Sequence, residues 1–318
     1  MGQATGAAGV YDLPNYWGEL FTADEVRTPF LTKIGGMSGG GMQTENYEFA
    51  TSSEYDFPAA AQPAVTETDS LTAPTATQGV RAQVKNVTQI FHQAVNIPYN
   101  KLANRGRLSG INSANKQSNV IDEKAWQIDY NLKIIARNIE YTCLNGVYNL
   151  AAADDEANKT RGMLPACALS GGTAVAAGTA ALSKALLQQL FKTMFDNGAP
   201  FIDVWLWMNS FQKQELQDIY GYAPEDRNVG GVNIKQIETE YGNISIAPTH
   251  KFMPTDTIGA FDMSVITPVT QPTPGKGNFF YEELAKTGAA EQGQVFGMFG
   301  LDHGPAFAHG KITGLATS

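Results

Sequence analysis

Residues 115–149 read NKQSNVIDEKAWQIDYNLKIIARNIEYTCLNGVYN, and this stretch decides the architecture. Ile121, Ala125, Ile128, Leu132, Ile135, Ile139 and Cys143 recur every three or four positions, the spacing of one apolar stripe on a helix. Glu123, Lys124, Asn131, Lys133, Asn138 and Glu140 fall opposite, and neither Pro nor Gly interrupts before Gly146. Thirty residues at about 1.5 Å each span roughly 45 Å, more than the width of a small domain. A helix over 115–149 is therefore expected to run along a domain as its spine.

Working upstream, Glu45-Asn46-Tyr47-Glu48-Phe49 alternates as a strand does. The alternation resumes at Val80, Ala82 and Val84, and again at Val87, Gln89 and Phe91. Between them, residues 57–78 are rich in Ala, Pro and Thr and carry several acids. Two alternating runs around a long polar tip predict an extended two-stranded hairpin. A connection of that length is usually functional or disordered. Two readings stay open: an arm that packs on a neighbouring subunit, or edge pairing and solvent-facing disorder. Residues 1–34 scatter Tyr11, Tyr16, Trp17, Phe21 and Phe30 among Gly and Ala, and read as a further arm. A short helix is expected within 20–31, ended by Pro29, followed by a flexible break at 35–41.

Downstream, Leu182, Leu186, Leu187, Leu190, Phe191 and Met194 mark a helix stopped by Asn197-Gly198. A buried strand is expected at 201–208. A helix at 210–220 follows, with Asn209 or Ser210 as its cap. Strands at 232–237 and 244–246 should pair around Tyr241-Gly242-Asn243, with further strands at 257–261 and 294–301. Helices and strands interleave without a strict βαβ period, so the class is α+β.

Composition narrows the function. Charged residues make up 17% of the 318 positions and hydrophobic ones 43%, with 32 Gly. So little charge implies a surface covered by something other than water. A formal net charge of −9 argues against a reader of nucleic acid that works by phosphate neutralisation. It does not argue against a protein that encloses DNA without gripping it. Cys143 and Cys167 make no disulfide framework, and a reduced core thiol suits Cys143 on the apolar stripe. No run approaches the eighteen or so apolar residues of a membrane span, and the N-terminus lacks a secretory pattern. A soluble protein of a reducing compartment is expected, with no membrane partner.

No catalytic constellation assembles. Gly36-Met37-Ser38-Gly39-Gly40 has the letters of a nucleophile elbow, yet no strong strand precedes Ser38 and no helix follows it. Gly275-Lys276-Gly277 lacks the spacing and Ser/Thr of a phosphate loop. His92, His250, His303 and His309 show no zinc-ligand spacing, although His303 and His309 could meet across a turn. Asp154-Asp155-Glu156 lacks the offsets of a calcium loop. Trp205 and Trp207 alternate onto one strand face and read as core. Catalytic, cofactor-binding and metal residues are each expected to be none, and no cofactor is expected.

The sequence resembles the major capsid proteins of tailed bacteriophages, which share the Hong Kong 97-type fold. Three stretches carry the likeness. The first is Asn86-Val87-Thr88-Gln89-Ile90-Phe91, leading to Val95-Asn96-Ile97. The second is Tyr130-Asn131-Leu132-Lys133 with Ala136-Arg137-Asn138-Ile139-Glu140-Tyr141 and Leu144-Asn145-Gly146. The third runs from Thr239-Glu240-Tyr241-Gly242 through Met253-Pro254 and Phe261-Asp262 to Glu283-Leu284-Ala285-Lys286-Thr287-Gly288.

The resemblance implies named parts. These are an N-terminal arm at 1–41, an extended loop at 42–91 reaching onto a neighbour, and a peripheral domain at 92–179 holding the spine. An axial domain at 180–262 would gather at fivefold and sixfold axes, and 263–318 would return to the peripheral domain. It implies pentamers and hexamers of the chain itself in an icosahedral shell around the phage genome, made in the host bacterial cytoplasm. Portal, scaffold and decoration proteins are implied partners, and DNA would be enclosed without sequence-specific binding. The lysine–asparagine cross-link of one branch of this fold finds no matching motif around Lys85. Rival readings are an encapsulin-type nanocompartment shell, another virion part such as a tail tube, and a hydrolase using Ser38.

Overall fold

A computed structural model describes residues 27–37, 41–55, 57–76, 78–103, 123–220, 235–249 and 251–317. The chain opens with a short helix α1 (Pro29–Lys33), a two-residue strand β1 (Met42–Gln43), and strands β2 (Glu48–Tyr55), β3 (Arg81–Val87) and β4 (Gln89–Pro98). Next come α2 (Tyr99–Ala103), the long α3 (Glu123–Asn145), α4 (Met163–Ala166), β5 (Thr173–Ala176), α5 (Lys184–Asp196), β6 (Val204–Met208) and α6 (Ser210–Tyr220). Strands dominate the rest of the described residues, with 3-10 turns at Met263–Val265 and Ala306–Ala308: β7 (Gln236–Thr239), β8 (Gly242–Pro248), β9 (Ile258–Asp262), β10 (Thr267–Thr270), β11 (Phe279–Glu283), β12 (Ala290–Asp302) and β13 (His309–Thr313).

Among the described residues these strands form three sheets. In the first, β12 is central: β4 runs antiparallel along one edge, from Gln89 opposite Phe299 to Pro98 opposite Ala290. The other edge of β12 carries β11 and β10, and β1 lies parallel outside β10. The second sheet has the order β5-β13-β9-β6-β8-β7. The third is the β2–β3 ribbon.

Two apolar cores follow from strand alternation. Trp207, Ala247 and Phe261 point from the second sheet towards α1, α3 and the first sheet, meeting Phe30, Ile135, Ile139, Val295 and Phe299. Leu206, Met208, Ile244, Ile258 and Ala260 point the other way, onto Leu187, Leu190 and Met194 of α5 and Leu216 of α6. The second sheet is thus covered on both faces.

Several boundaries differ from expectation for identifiable reasons. The spine ends at Asn145 rather than 149, because Gly146 leaves the helix where space is shortest. A Cβ there would lie 2.5 Å from both Thr142 O and Thr160 O. Asn149 instead bridges to Lys159 in extended backbone. Residues 115–122, Ile121 included, lie outside the described residues. Ala125 is exposed, and the apolar stripe is buried from Ile135 onward, with Ile128 and Leu132 partly covered.

Pro29 begins a helix rather than ending one, since a proline at the first helical position lacks only an N–H that would have no intrahelical partner. The strand expected at 201–208 starts at Val204, because Phe201 sits at φ +50. The β7–β8 turn falls at Glu240–Tyr241, with 232–234 outside the described residues. Helix α6 is as expected, and Asn209 is its cap: Oδ1 accepts from Gln212 N at 2.9 Å.

Candidate assembly surfaces

The hairpin is built as an arm. β2 and β3 pair from Glu48 opposite Val87 out to Tyr55 opposite Arg81, with a bulge between Ala50 and Ser52 that twists the ribbon. Beyond Tyr55 the described residues up to Val80 make no strand ladder, and a 3-10 turn spans Asp69–Leu71. Every described residue from Phe57 to Val80 is exposed, including Phe57 at 81% and Leu71 at 86%. Between Glu54 and Val80 the sequence holds Glu54, Asp56, Glu67 and Asp69 and no Lys or Arg. An apolar and acidic strap of this length makes no core of its own.

Its root, in contrast, is fixed. Asn86 is fully buried where β3 meets the first sheet. Its Nδ2 donates to Leu301 O at 2.7 Å and Arg161 O at 3.1 Å, while Oδ1 accepts from Arg161 N at 2.7 Å and Val87 N at 2.9 Å. Thr88 Oγ1 donates to Gln271 Oε1 at 2.7 Å, and Gln89 Oε1 accepts from Thr160 N at 3.3 Å. The polar residues of the Asn86–Phe91 stretch thus join three distant segments, at 160–161, 271 and 301, to the base of the arm.

A second anchor was not legible in the spine pattern. Glu140 and Asn131, which the helix period assigned to the solvent face, are buried. Asn131 Nδ2 turns back to Gln127 O at 2.8 Å. The Glu140 carboxylate accepts the backbone N–H groups of Phe30 and Leu31 at the start of α1. The ring of Phe30 packs edge-on to Trp207 at 5.2 Å and to Phe261 at 6.4 Å. Lys33 completes the wedge, 3.0 Å from Asp203 Oδ2 and 4.4 Å above the Trp205 ring. Trp207 is core, as its alternation indicates, whereas Trp205 is half-buried beneath Lys33.

The histidines divide. His92 is exposed and meets Gln294, while His250 and Ser38 lie outside the described residues. His303 and His309 do meet. His309 Nδ1 accepts from Asp262 N at 3.2 Å, so its Nε2–H donates to His303 O at 2.6 Å. Burial pushes both imidazoles down to about 4, so each is neutral at pH 7. Burial also works against the charge of Asp262, but hydrogen bonds from Ser264 Oγ, Ile202 N, Ser264 N and Asp203 N outweigh it and hold the carboxyl below its usual range.

Both cysteines are free and buried. Burial pushes the Cys143 thiol well up and that of Cys167 to about 12, leaving almost no nucleophilic thiolate. Gly275-Lys276-Gly277 is a surface turn with Lys276 paired to Glu282, and Asp154-Asp155-Glu156 is an exposed loop. Among the described residues no three His, Cys, Asp or Glu side chains converge as metal ligands, and no helix is long and apolar enough to cross a membrane.

An exposed strap on a clamped root, a long helix backing one sheet, and a second α/β layer beside it define a Hong Kong 97-type capsid protein. The sequence matches the SU10 major capsid protein family over residues 3–316, and the chain belongs to that family. Its place is the virion, where it assembles with copies of itself into a shell.

The fold is similar to that of the cyanophage A-1(L) capsid subunit, with a TM-score of 0.65 and 10% identity over 96% of this chain and 97% of that one. It is similar to the capsid protein of a native GTA particle, with a TM-score of 0.61 and 14% identity over 99% and 100%. It also resembles the SrpI encapsulin of Synechococcus elongatus PCC 7942, with a TM-score of 0.56 and 10% identity over 95% and 94%. No curated protein matches by sequence.

Proposed function

We propose that this chain builds pentamers and hexamers that close into an icosahedral shell around a phage genome. The observation that carries this reading is the strap at 57–80, whose Phe57, Val65, Leu71 and Val80 are largely exposed among the described residues of their own subunit. Covering each such side chain gains about 1.5–3 kcal/mol, and a closed shell repeats that gain at every subunit. The strap therefore reaches onto a neighbour.

In this reading the first sheet and α3 form the peripheral part. Residues 180–262, together with β5 and β13 of the same sheet, form the axial part near the symmetry axes. Portal, scaffold and decoration proteins join the shell as partners. The negative subunit encloses DNA without sequence-specific contacts, makes no contact with membrane and performs no catalysis. Synthesis takes place in the host bacterial cytoplasm.

Electron microscopy of the purified protein tests the reading. Uniform closed shells or capsomers are expected; small monomers at every concentration and salt would overturn it. The likeness to an encapsulin motivates the second reading, a nanocompartment. A terminase or portal gene beside this one favours the phage.

A further inference from the structure

Strand β4 pairs with β12 along one edge, and its other edge carries no strand among the described residues. The register shows which backbone groups face that edge. Tyr99 N donates to Ala289 O, one step beyond the Pro98–Ala290 pair. Opposed residues of an antiparallel pair exchange their bonds at every second position. Gln89, Phe91, Gln93, Val95 and Ile97 therefore bond to β12, while Ile90, His92, Ala94 and Asn96 turn their N–H and C=O groups outward. Both ends of the strand agree. Thr88 N donates the other way, to Tyr47 O, and Pro98, which has no N–H, stands at an outward position. The four outward residues are exposed, and the described residues bring no further backbone partner to them.

Edge strands are ordinarily guarded by charge, proline or brevity. β4 is ten residues long, holds no Lys, Arg, Asp or Glu, and has its proline only at the end. The other outer strands are guarded. β1, β5 and β7 have four residues or fewer, β11 carries Glu282 and Glu283, and the β2–β3 ribbon carries Glu48, Glu54, Arg81 and Lys85. The missing charge points to the occupant, because a neutral strand meets a second copy of itself without like-charge repulsion. Antiparallel pairing about a two-fold axis also fills both edges at once, so the contact closes and leaves nothing to extend. Alternation then sets the register. Outward residues must face outward residues, which keeps Phe91 and Val95 of the two copies on one continuous core face. The register that engages all four outward residues sets Ile90 opposite Asn96, and His92 opposite Ala94, of the second copy. Gln93 lies on the axis, opposite its own counterpart.

We propose that β4 of one copy pairs antiparallel with β4 of a second copy about a two-fold axis through Gln93. The pairing joins the first sheets of the two copies into one. The proposal rests on the shell reading and names a contact independent of the strap.

A single cysteine tests it. Residues opposed at a non-hydrogen-bonded position have Cα atoms about 4.5 Å apart, within the roughly 4.4–6.8 Å that a disulfide spans. Gln93→Cys shells, assembled under reducing conditions and then oxidised, should convert to covalent dimers and stop there, because a two-fold contact joins copies only in pairs. The native cysteines are buried and stay silent. Ala94→Cys, set two residues away from its counterpart, should stay monomeric. Ala94→Pro removes an outward N–H and spares the β12 ladder, so it should keep the unfolding midpoint of the subunit and lose shell assembly. Gln93→Cys shells that remain monomeric overturn the proposal and leave the shell reading standing. So does a dimer that forms from Ala94→Cys instead, or an Ala94→Pro variant that assembles as its parent does. Absence of shells from the unmodified protein overturns both.

Discussion

Glu140 Oε2 accepts the backbone N–H of Leu31 at 2.6 Å, across 109 positions of sequence. Its other oxygen accepts from Phe30 at 2.9 Å. The first N–H groups of any helix lack partners within that helix, and here a carboxylate on the spine supplies them. The contact holds α1 between the spine and the Trp207–Phe261 face, as a wedge inside the core that joins the two large sheets.

Replacing Glu140 by Gln keeps the shape but turns a two-acceptor group into one with a single acceptor oxygen. Hydrogen bonds to charged groups contribute about 1.5–3 kcal/mol each, so E140Q should lose about that much stability and E140A more. Denaturant titration of unassembled subunits measures the change. Stabilities equal to the parent would sink the assignment.

Asn86→Asp should loosen the root of the arm. The variant loses the Nδ2 donor and sets a carboxylate oxygen against the carbonyls of Leu301 and Arg161. Leaving buried polar groups unpaired costs about 1–3 kcal/mol apiece. Amide exchange in β2 and β3 should quicken together; exchange confined to the strap would count against the role given to Asn86.

Acid should destabilise the subunit over a defined range. His303 and His309 titrate at about 4 in the fold, against the ordinary 6.5 once the chain unfolds. Between those values the unfolded chain binds more protons, so stability falls as pH drops from 6.5 towards 4 and is fully retained above 6.5. Each pKa unit corresponds to about 1.4 kcal/mol, giving a loss of a few kcal/mol per imidazole. H309Q should flatten that slope, whatever it does to the absolute value. Unfolding midpoints collected across this range decide the matter, and an unchanged slope would contradict it.

Gly146→Ala should cost about 1–3 kcal/mol or more, because the added carbon meets two backbone carbonyls that cannot rotate aside. Thermal unfolding of the variant beside its parent is the check.

The hairpin, the α5 and α6 helices and most strands of the second sheet were legible because each follows a period of two or 3.6. The spine was legible as an element but less so in its orientation. A helical wheel sorts residues by polarity, and it placed Glu140 and Asn131 in solvent together with Lys133. Nothing local to Glu140 announces that its partners are backbone groups of Phe30 and Leu31. In consequence Asn131→Asp is a folding variant as much as Leu132→Asp, and a clean assembly variant has to come from exposed positions such as Tyr141. Asn86 stood in the stretch that carried the family resemblance, yet three of its four hydrogen bonds reach Arg161 and Leu301, in segments that no periodicity connects to it.

The pairing of strands also sets a timetable. The long edge of the first sheet joins residues 89–98 to 290–299, and β13 at 309–313 lies between β5 and β9 in the second. Contacts so far apart in sequence form late and slowly. Until β13 has been made, β5 and β9 each keep an unpaired edge, and until β12 is made the root of the strap has no Leu301 to hold it. A growing chain therefore cannot offer a finished binding surface to its neighbours, and the polymer starts only from completed parts. Ribosome-stalled chains ending before residue 290 should accordingly fail to enter shells formed by full-length subunits; their incorporation would refute this ordering.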